Sequence, residues 1–173
     1  MKKFKLKILI LSISLLLTSI APSFGAGSGG DLLKVDWSFK GLTGKFDRSS
    51  LQRGFQVYKE VCSSCHSMQY LSYRNLGESG GPEFSEQEVK AIAASIEIDD
   101  GPDSQGEMFT RPGRPADKFK SPYPNVNASI AANGGAYPPD MSVLVKARPG
   151  GSNYIYSVLV GYEEPPTGMT LDD

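Results

Sequence analysis

The chain has 173 residues, 39% hydrophobic and 21% charged, with a formal net charge of −1. That size and balance describe roughly one globular domain able to bury a core, and they exclude both a disordered tail and a strongly basic nucleic-acid-binding surface. The 19 Gly and 12 Pro point to long ordered loops between few, well separated helices.

The opening "MKKFKLKILILSISLLLTSIAPSFGA" places four lysines before an apolar run over 8–20, with small residues at Ser23, Gly25 and Ala26. A basic start, an apolar middle and a small-residue end predict a secretory signal peptide over residues 1–25, cleaved near Gly25. The rival, an uncleaved anchor, would need roughly 20 apolar residues to cross a bilayer. Cleavage removes four of the 18 basic residues and no acidic ones, leaving 14 basic against 19 acidic, a net charge of −5. Nucleic acid is therefore not an expected partner. An acidic exported protein steers basic proteins toward itself, unless the charge serves solubility alone.

Residues 26–46 read as an extended N-terminal arm: a Gly-rich spacer, then "DLLKVDWSFKGLTGKFD", in which Trp37 is the expected anchor to the body. A domain then runs over 47–173. In "DRSSLQRGFQVYKEVCSSCH", Asp47 or Ser49 can cap a helix, and Leu51, Phe55, Tyr58, Cys62 and Cys65 recur at helical spacing, which predicts one buried stripe including both cysteines. "SEQEVKAIAASIE" predicts a second helix, with Ser85 and Glu88 as a capping box and Val89, Ile92, Ala93 and Ile96 as the apolar face. From Asp99 to Asn125, five prolines and three glycines predict loop. Short helices are expected at about 127–132 and 152–161, the latter with Ile155, Val158, Leu159 and Tyr162 on one side. No segment reads as an alternating strand, so the predicted class is mainly α with large loops.

The chemistry concentrates in "VCSSCHS", where Cys62, Cys65 and His66 are the chain's two cysteines and its one histidine. Such a C-x-x-C-H run admits several readings. A structural zinc wants four Cys or His ligands, and three exist. A thioredoxin-like dithiol sits at a helix N-terminus, where the dipole lowers a thiol pKa, whereas here helical turns precede the cysteines. A plain disulfide would leave His66 without a role. Covalent attachment of one c-type haem uses all three residues: two thiols bond the porphyrin and the imidazole of His66 reaches the iron. A tethered haem also supplies apolar mass to a loop-rich core. A thiol oxidoreductase stays as the reading of a different class.

The blocks "RGFQVYKEVCSSCHSMQYLSYRNL", "GEMFTRPGRPADKF", "SPYPN", "ANGGAYPPDMSVLVKARPGG" and "YIYSVLVGYEEPPTG" closely resemble the cytochrome c1 family, haem subunits of ubiquinol:cytochrome c oxidoreductase. The resemblance covers roughly Val35 to Gly168. It implies a class I cytochrome c-like domain with Cys62 and Cys65 as attachment points and His66 as proximal iron ligand, and it implies Arg111 as the partner of a haem propionate, with Arg114 mattering less. It further implies a respiratory electron path from a Rieske iron–sulfur protein through the haem to a soluble or tethered cytochrome c, with cytochrome b as a fixed partner. No independent catalysis is expected of this chain alone. The implied location is the periplasmic side of a bacterial inner membrane. Gly54 and Tyr58 resemble the contact between the family's first and last helices.

The family's haem normally carries a Met thioether opposite the histidine, which raises its potential. Met68 is too close to His66 to reach the opposite face, Met108 and Met141 fall in blocks that do not supply the ligand, and Met169 is nearly at the end. The resemblance therefore implies an axial Met, a last helix and a membrane anchor beyond Asp173, and a truncated sequence. The alternative is a freestanding exported monohaem electron shuttle that uses Met108 or Met141.

Overall fold

The structure, a computed structural model, describes residues 31–164 and 167–168. The expected signal peptide and Met169 lie outside the described residues. Helix α1, Arg48–Glu60, starts at Asp47, whose carboxylate accepts from the Ser50 backbone N–H at 2.7 Å and the Ser49 hydroxyl at 2.6 Å. Asp47, not Ser49, is thus the cap, and it satisfies donors that the first turn leaves without partners. Leu51, Phe55 and Tyr58 face inward as predicted, with Tyr58 buried.

The predicted stripe does not continue through both cysteines. The α-helix ends at Glu60, and Cys62–Ser64 form a 3-10 turn instead. The physical reason lies in two serines: Ser63 Oγ donates to Lys59 O at 2.9 Å and Ser64 Oγ to Val61 O at 2.7 Å. Hydroxyls that take up carbonyls of the last turn compete with the backbone ladder and tighten the chain.

A second 3-10 turn, Tyr73–Gly77, leads to helix α2, Glu86–Ala94, in which the predicted Ser85 and Glu88 capping box forms in both directions and Val89 and Ala93 are buried. Two short strands follow, β1 (Glu97–Asp100) and β2 (Phe109–Pro112), paired antiparallel with Ile98 opposite Arg111 and Asp100 opposite Phe109. They fall largely in the stretch expected to be loop. Hydrophobic alternation is missing because the half-buried positions are Ile98, Asp100 and Arg111, and an ion pair stands where apolar residues would have signalled a strand. The chain then passes through Gly113, where a Cβ would lie 2.5 Å from Ala93 O. Only glycine permits that approach of β2's end to α2, sealed by Gly113 N–H donating to Ile96 O at 2.8 Å.

Helices α3 (Val126–Ala132), α4 (Leu144–Ala147) and α5 (Ser152–Val160) complete the fold. No described helix is long and apolar enough to cross a membrane. The architecture is mostly helical with one small sheet, consistent with a class I cytochrome c-like domain. Its core is small: Tyr58, Tyr73, Leu76, Val89, Ala93 and Phe119, with Phe55, Cys62, Met68 and Met141 among the half-buried residues packed around them. Phe119 is the hub, stacked on Tyr73 at 4.8 Å and within 5.9 Å of Tyr58 and 6.2 Å of Phe55, ring centre to ring centre.

Described residues 31–46 of the arm form no helix or strand. Trp37 anchors the arm, as predicted: its indole N–H donates to Asn153 Oδ1 at 2.7 Å and its ring meets Tyr156 edge to face at 5.7 Å. Leu33 N–H donates to Ser157 Oγ at 2.9 Å. The arm therefore covers the polar side of α5, while Val158, Leu159 and Tyr162, expected on a packed side, are 44%, 66% and 84% exposed. An irregular segment brings unpaired backbone N–H groups, and these select acceptors such as Asn153 and Ser157 over aliphatic side chains.

Candidate functional site

Cys62, Cys65 and His66 are gathered by the turn that ends α1. The carbonyl of Cys62 accepts from both Cys65 N–H, at 3.2 Å, and His66 N–H, at 2.8 Å. This double acceptance winds the three residues into a single tight turn. Both thiols are free and half-buried, with Cys62 packed against the core. The His66 side chain is held from a distant part of the chain: Nδ1 lies 2.8 Å from Pro139 O. A carbonyl can only accept, so Nδ1 is the donor in this contact, which leaves Nε2 as the ring nitrogen free to face a metal. Tyr58, whose hydroxyl donates to His66 O at 3.3 Å, is pushed up to about 12 by burial, with Tyr73 adding to the effect, and stays a neutral donor.

Cys65 and Ser67 open onto a cleft of about 460 Å³ lined also by Phe119, Pro122, Tyr123, Pro124, Val126, Tyr137 and Pro138. Adjoining cavities of about 260 and 440 Å³ share Phe119, Ser121 and Pro122 with it. Volumes of this order and a mainly apolar, aromatic lining suit a cofactor-sized ligand. The donor set agrees: a turn carrying two free thiols and one oriented imidazole, with Cys65 on the cleft wall and Cys62 against the core. These residues fit a c-type haem.

Arg111 sits away from this turn, in β2. Its guanidinium donates through Nε to Asp100 at 2.5 Å, through Nη1 to Asp117 at 2.7 Å and Pro112 O at 3.1 Å, and through Nη2 to Asp117 at 2.9 Å. Four of its five N–H donors are thereby engaged, and one Nη2 hydrogen has no acceptor among the described residues. The pair is bidentate and partly buried, with side chains 16% and 18% exposed, which is the strong form of such contacts. Arg111 holds the Asp117 carboxyl down to about 2 against an ordinary value of 3.8. A carboxyl depressed by folding contributes stability that is complete above its unfolded value and is lost as pH falls through its folded one. Melting temperature should therefore fall between about pH 4 and pH 2, and Asp117→Asn should flatten that slope in a thermal-melt series. A residual slope is expected from Asp47, held near 2 by Ser49 and Ser50. An unaltered slope would show that the Arg111 pair does not form in solution.

Sequence reasoning found the thiols and the imidazole but missed the residues that hold them in register. Asp140 accepts from Ser67 Oγ, Gln69 N–H and Ser142 N–H, each at 2.8 Å. Burial raises its carboxyl, but the hydrogen bonds from Ser142, Gln69 and Ser67 outweigh burial and keep it below the ordinary range. The sequence signal was Pro138-Pro139-Asp140, a stiff pair before an acceptor, and nothing local ties it to residues some 73 positions earlier. Of the other methionines, Met68 and Met141 pack against the core and Met108 is 68% exposed. Gly54 lies open along α1, and among the described residues nothing comes within 4 Å of where its Cβ would be.

Comparison with known proteins agrees with this geometry. The model of the Cytochrome C1 family matches residues 37–173. Cytochrome c1 of Rhodospirillum rubrum is 56% identical over 144 residues, which is 83% of this chain and 52% of that protein. The mitochondrial cytochrome c1 heme protein of Schizosaccharomyces pombe is 45% identical over 165 residues, 93% of this chain and 53% of its own length. A protein named cytochrome b/c1 from Bradyrhizobium diazoefficiens is 49% identical over 156 residues, covering 79% of this chain and 23% of itself. The chain spans about half the length of the first two relatives. A single covalent c-type haem fits the two cysteines and the relatives' descriptions alike. With the turn, the cleft and the match over residues 37–173 in agreement, the chain belongs to the cytochrome C1 family.

Proposed function

We propose that this chain is the haem-bearing part of a respiratory ubiquinol:cytochrome c oxidoreductase, taking electrons from a Rieske iron–sulfur protein and delivering them to a cytochrome c. The observation that carries the proposal is the Cys62–His66 turn opening onto the cleft, with His66 Nδ1 fixed on Pro139 O. In this reading Cys62 and Cys65 hold the haem by thioethers and His66 ligates the iron through Nε2. Arg111 would be the partner of a haem propionate, with Asp100 and Asp117 fixing the plane of its guanidinium. The bound haem supplies one-electron chemistry. The chain's own residues would tether and orient: the turn sets the position of the imidazole, Pro139 holds its Nδ1–H, and Phe119, Tyr123 and Tyr137 give the cleft its aromatic wall.

Residues 1–25 direct export in this reading, placing the domain on the periplasmic side of a bacterial inner membrane, beside cytochrome b. The relative named cytochrome b/c1 supports that association, because its name joins the two components. Stopped-flow mixing tests the electron path. The haem-loaded protein should gain its ferrous absorbance on mixing with reduced Rieske protein and lose it on adding ferric cytochrome c. A haem that exchanges electrons with neither would end the reading.

A further inference from the structure

Among the described residues, Asp140 is the carboxylate that joins the segment after His66 to the segment that supplies its hydrogen-bond acceptor. Its Oδ2 accepts from Ser67 Oγ and from Gln69 N–H, both at 2.8 Å, and its Oδ1 accepts from Ser142 N–H at 2.8 Å. The same two segments are sewn together at their backbones, Met141 N–H donating to Ser67 O at 2.8 Å and Tyr70 N–H to Ser142 Oγ at 3.1 Å. Pro139, whose carbonyl lies 2.8 Å from His66 Nδ1, immediately precedes Asp140. It is a proline after a proline, so its φ is fixed and it has no N–H of its own to tie it to a neighbour. What keeps its carbonyl on the imidazole is therefore the latch one residue later. Ser67 is buried at 7% exposure, so its hydroxyl has no ready exchange of Asp140 for water, and hydrogen bonds to an ionised acceptor are the stronger kind.

We propose that Asp140 is a positioning residue for the haem ligand, holding the Pro139 carbonyl against His66 Nδ1–H and so setting how basic the ligating imidazole is. The inference rests on the reading of His66 as iron ligand. A carbonyl accepting from Nδ1–H pushes electron density toward Nε2, and a more basic Nε2 favours ferric over ferrous iron. Loosening the latch weakens that push, which raises the midpoint potential. Mere loosening of the fold acts in the opposite sense: water entering the cleft favours the more charged ferric state and lowers the potential. Loss of the Asp140 charge by itself also raises the potential, so the sign separates positioning from packing in Ser67→Ala, which keeps the carboxylate, and in the Asp140 variants it counts only together with the Nδ1 proton exchange.

The test uses the full chain carrying covalent haem, with wild type, Asp140→Ala, Asp140→Asn and Ser67→Ala compared. The last removes a single hydrogen bond and keeps the experiment informative if Asp140→Ala fails to fold. Asp47→Ala, at the cap of α1, is the control for lost stability without contact to the site. Solvent exchange of the His66 Nδ1 proton, read by NMR, should speed up by about tenfold in Asp140→Ala, the scale of one hydrogen bond to a charged group, and less in Asp140→Asn and Ser67→Ala. The midpoint potential should rise in the same order and stay unchanged in Asp47→Ala. Unchanged exchange, whatever the potential does, or a lowered potential matched by Asp47→Ala, overturns the positioning role. Wild type that holds no covalent haem overturns the proposed function and this inference with it, before any variant is compared.

Discussion

Replacing both Cys62 and Cys65 by Ala should give protein without covalent haem, seen as loss of the haem mass from the intact protein after acid and organic extraction. Each single variant should keep one thioether or none, with a lower yield of folded material. The expectation rests on where the structure puts the thiols. Cys62 packs against the hydrophobic core and Cys65 faces the cleft, so the two bonds would tie the group to the core on one side and to the cleft wall on the other. Among the described residues six hydrophobic side chains are buried, and the fold must offset roughly 1–2 kcal/mol of backbone entropy per ordered residue. The apolar body of the haem is part of that offset, and the double variant should be degraded faster by protease than the haem-loaded protein. Wild-type protein that loses its haem under extraction would show that the thiols are not bonded to it.

Phe119→Ala should be the most damaging single change in the core. The ring is 5% exposed, stacks on Tyr73 and touches the rings of Tyr58 and Phe55. Truncating a buried phenylalanine costs about 3–5 kcal/mol, against a total stability of roughly 5–15 kcal/mol. At about 2–4 °C per kcal/mol for a chain of this length, the melting temperature should drop by about 6–20 °C. Phe119 also lines the cleft and both adjoining cavities, so the loss should reach the cofactor: the haem of the variant should become more accessible to exogenous ligands. Phe119→Leu, which keeps apolar volume, should lose less of both. A melting temperature within about 2 °C of wild type, less than the change expected for 1 kcal/mol, would show that the aromatic hub is not packed as described.

The elements legible in the sequence were those whose signals are local. Asp47 and the Ser85 and Glu88 box announced helix starts because a cap is satisfied within three residues. Trp37 was a sound anchor because a large amphipathic ring seldom stays in solvent. The strands β1 and β2 were invisible because Asp100 and Arg111 occupy half-buried positions, tolerated because Arg111 pairs with both Asp100 and Asp117. The outer side of α5 was misjudged for a related reason: helical spacing identifies an apolar side but not whether anything covers it, and the arm docked on Asn153 and Ser157 instead.

The sequence by itself determined the chemistry. Two cysteines and the only histidine in one short run leave covalent haem as the reading that uses all three, and the flanking blocks were enough to point to the family. Tertiary structure decided the geometry that makes the run usable. The imidazole's orientation depends on Pro139, the placement of Pro139 on Asp140, and the guanidinium of Arg111 is engaged by Asp100 and Asp117. The contacts around His66 join residues some 73 positions apart. A covalent motif is written in neighbouring residues because the bonds it makes are local, whereas the hydrogen bonds that aim it are closed by loops whose ends meet only once the core has formed.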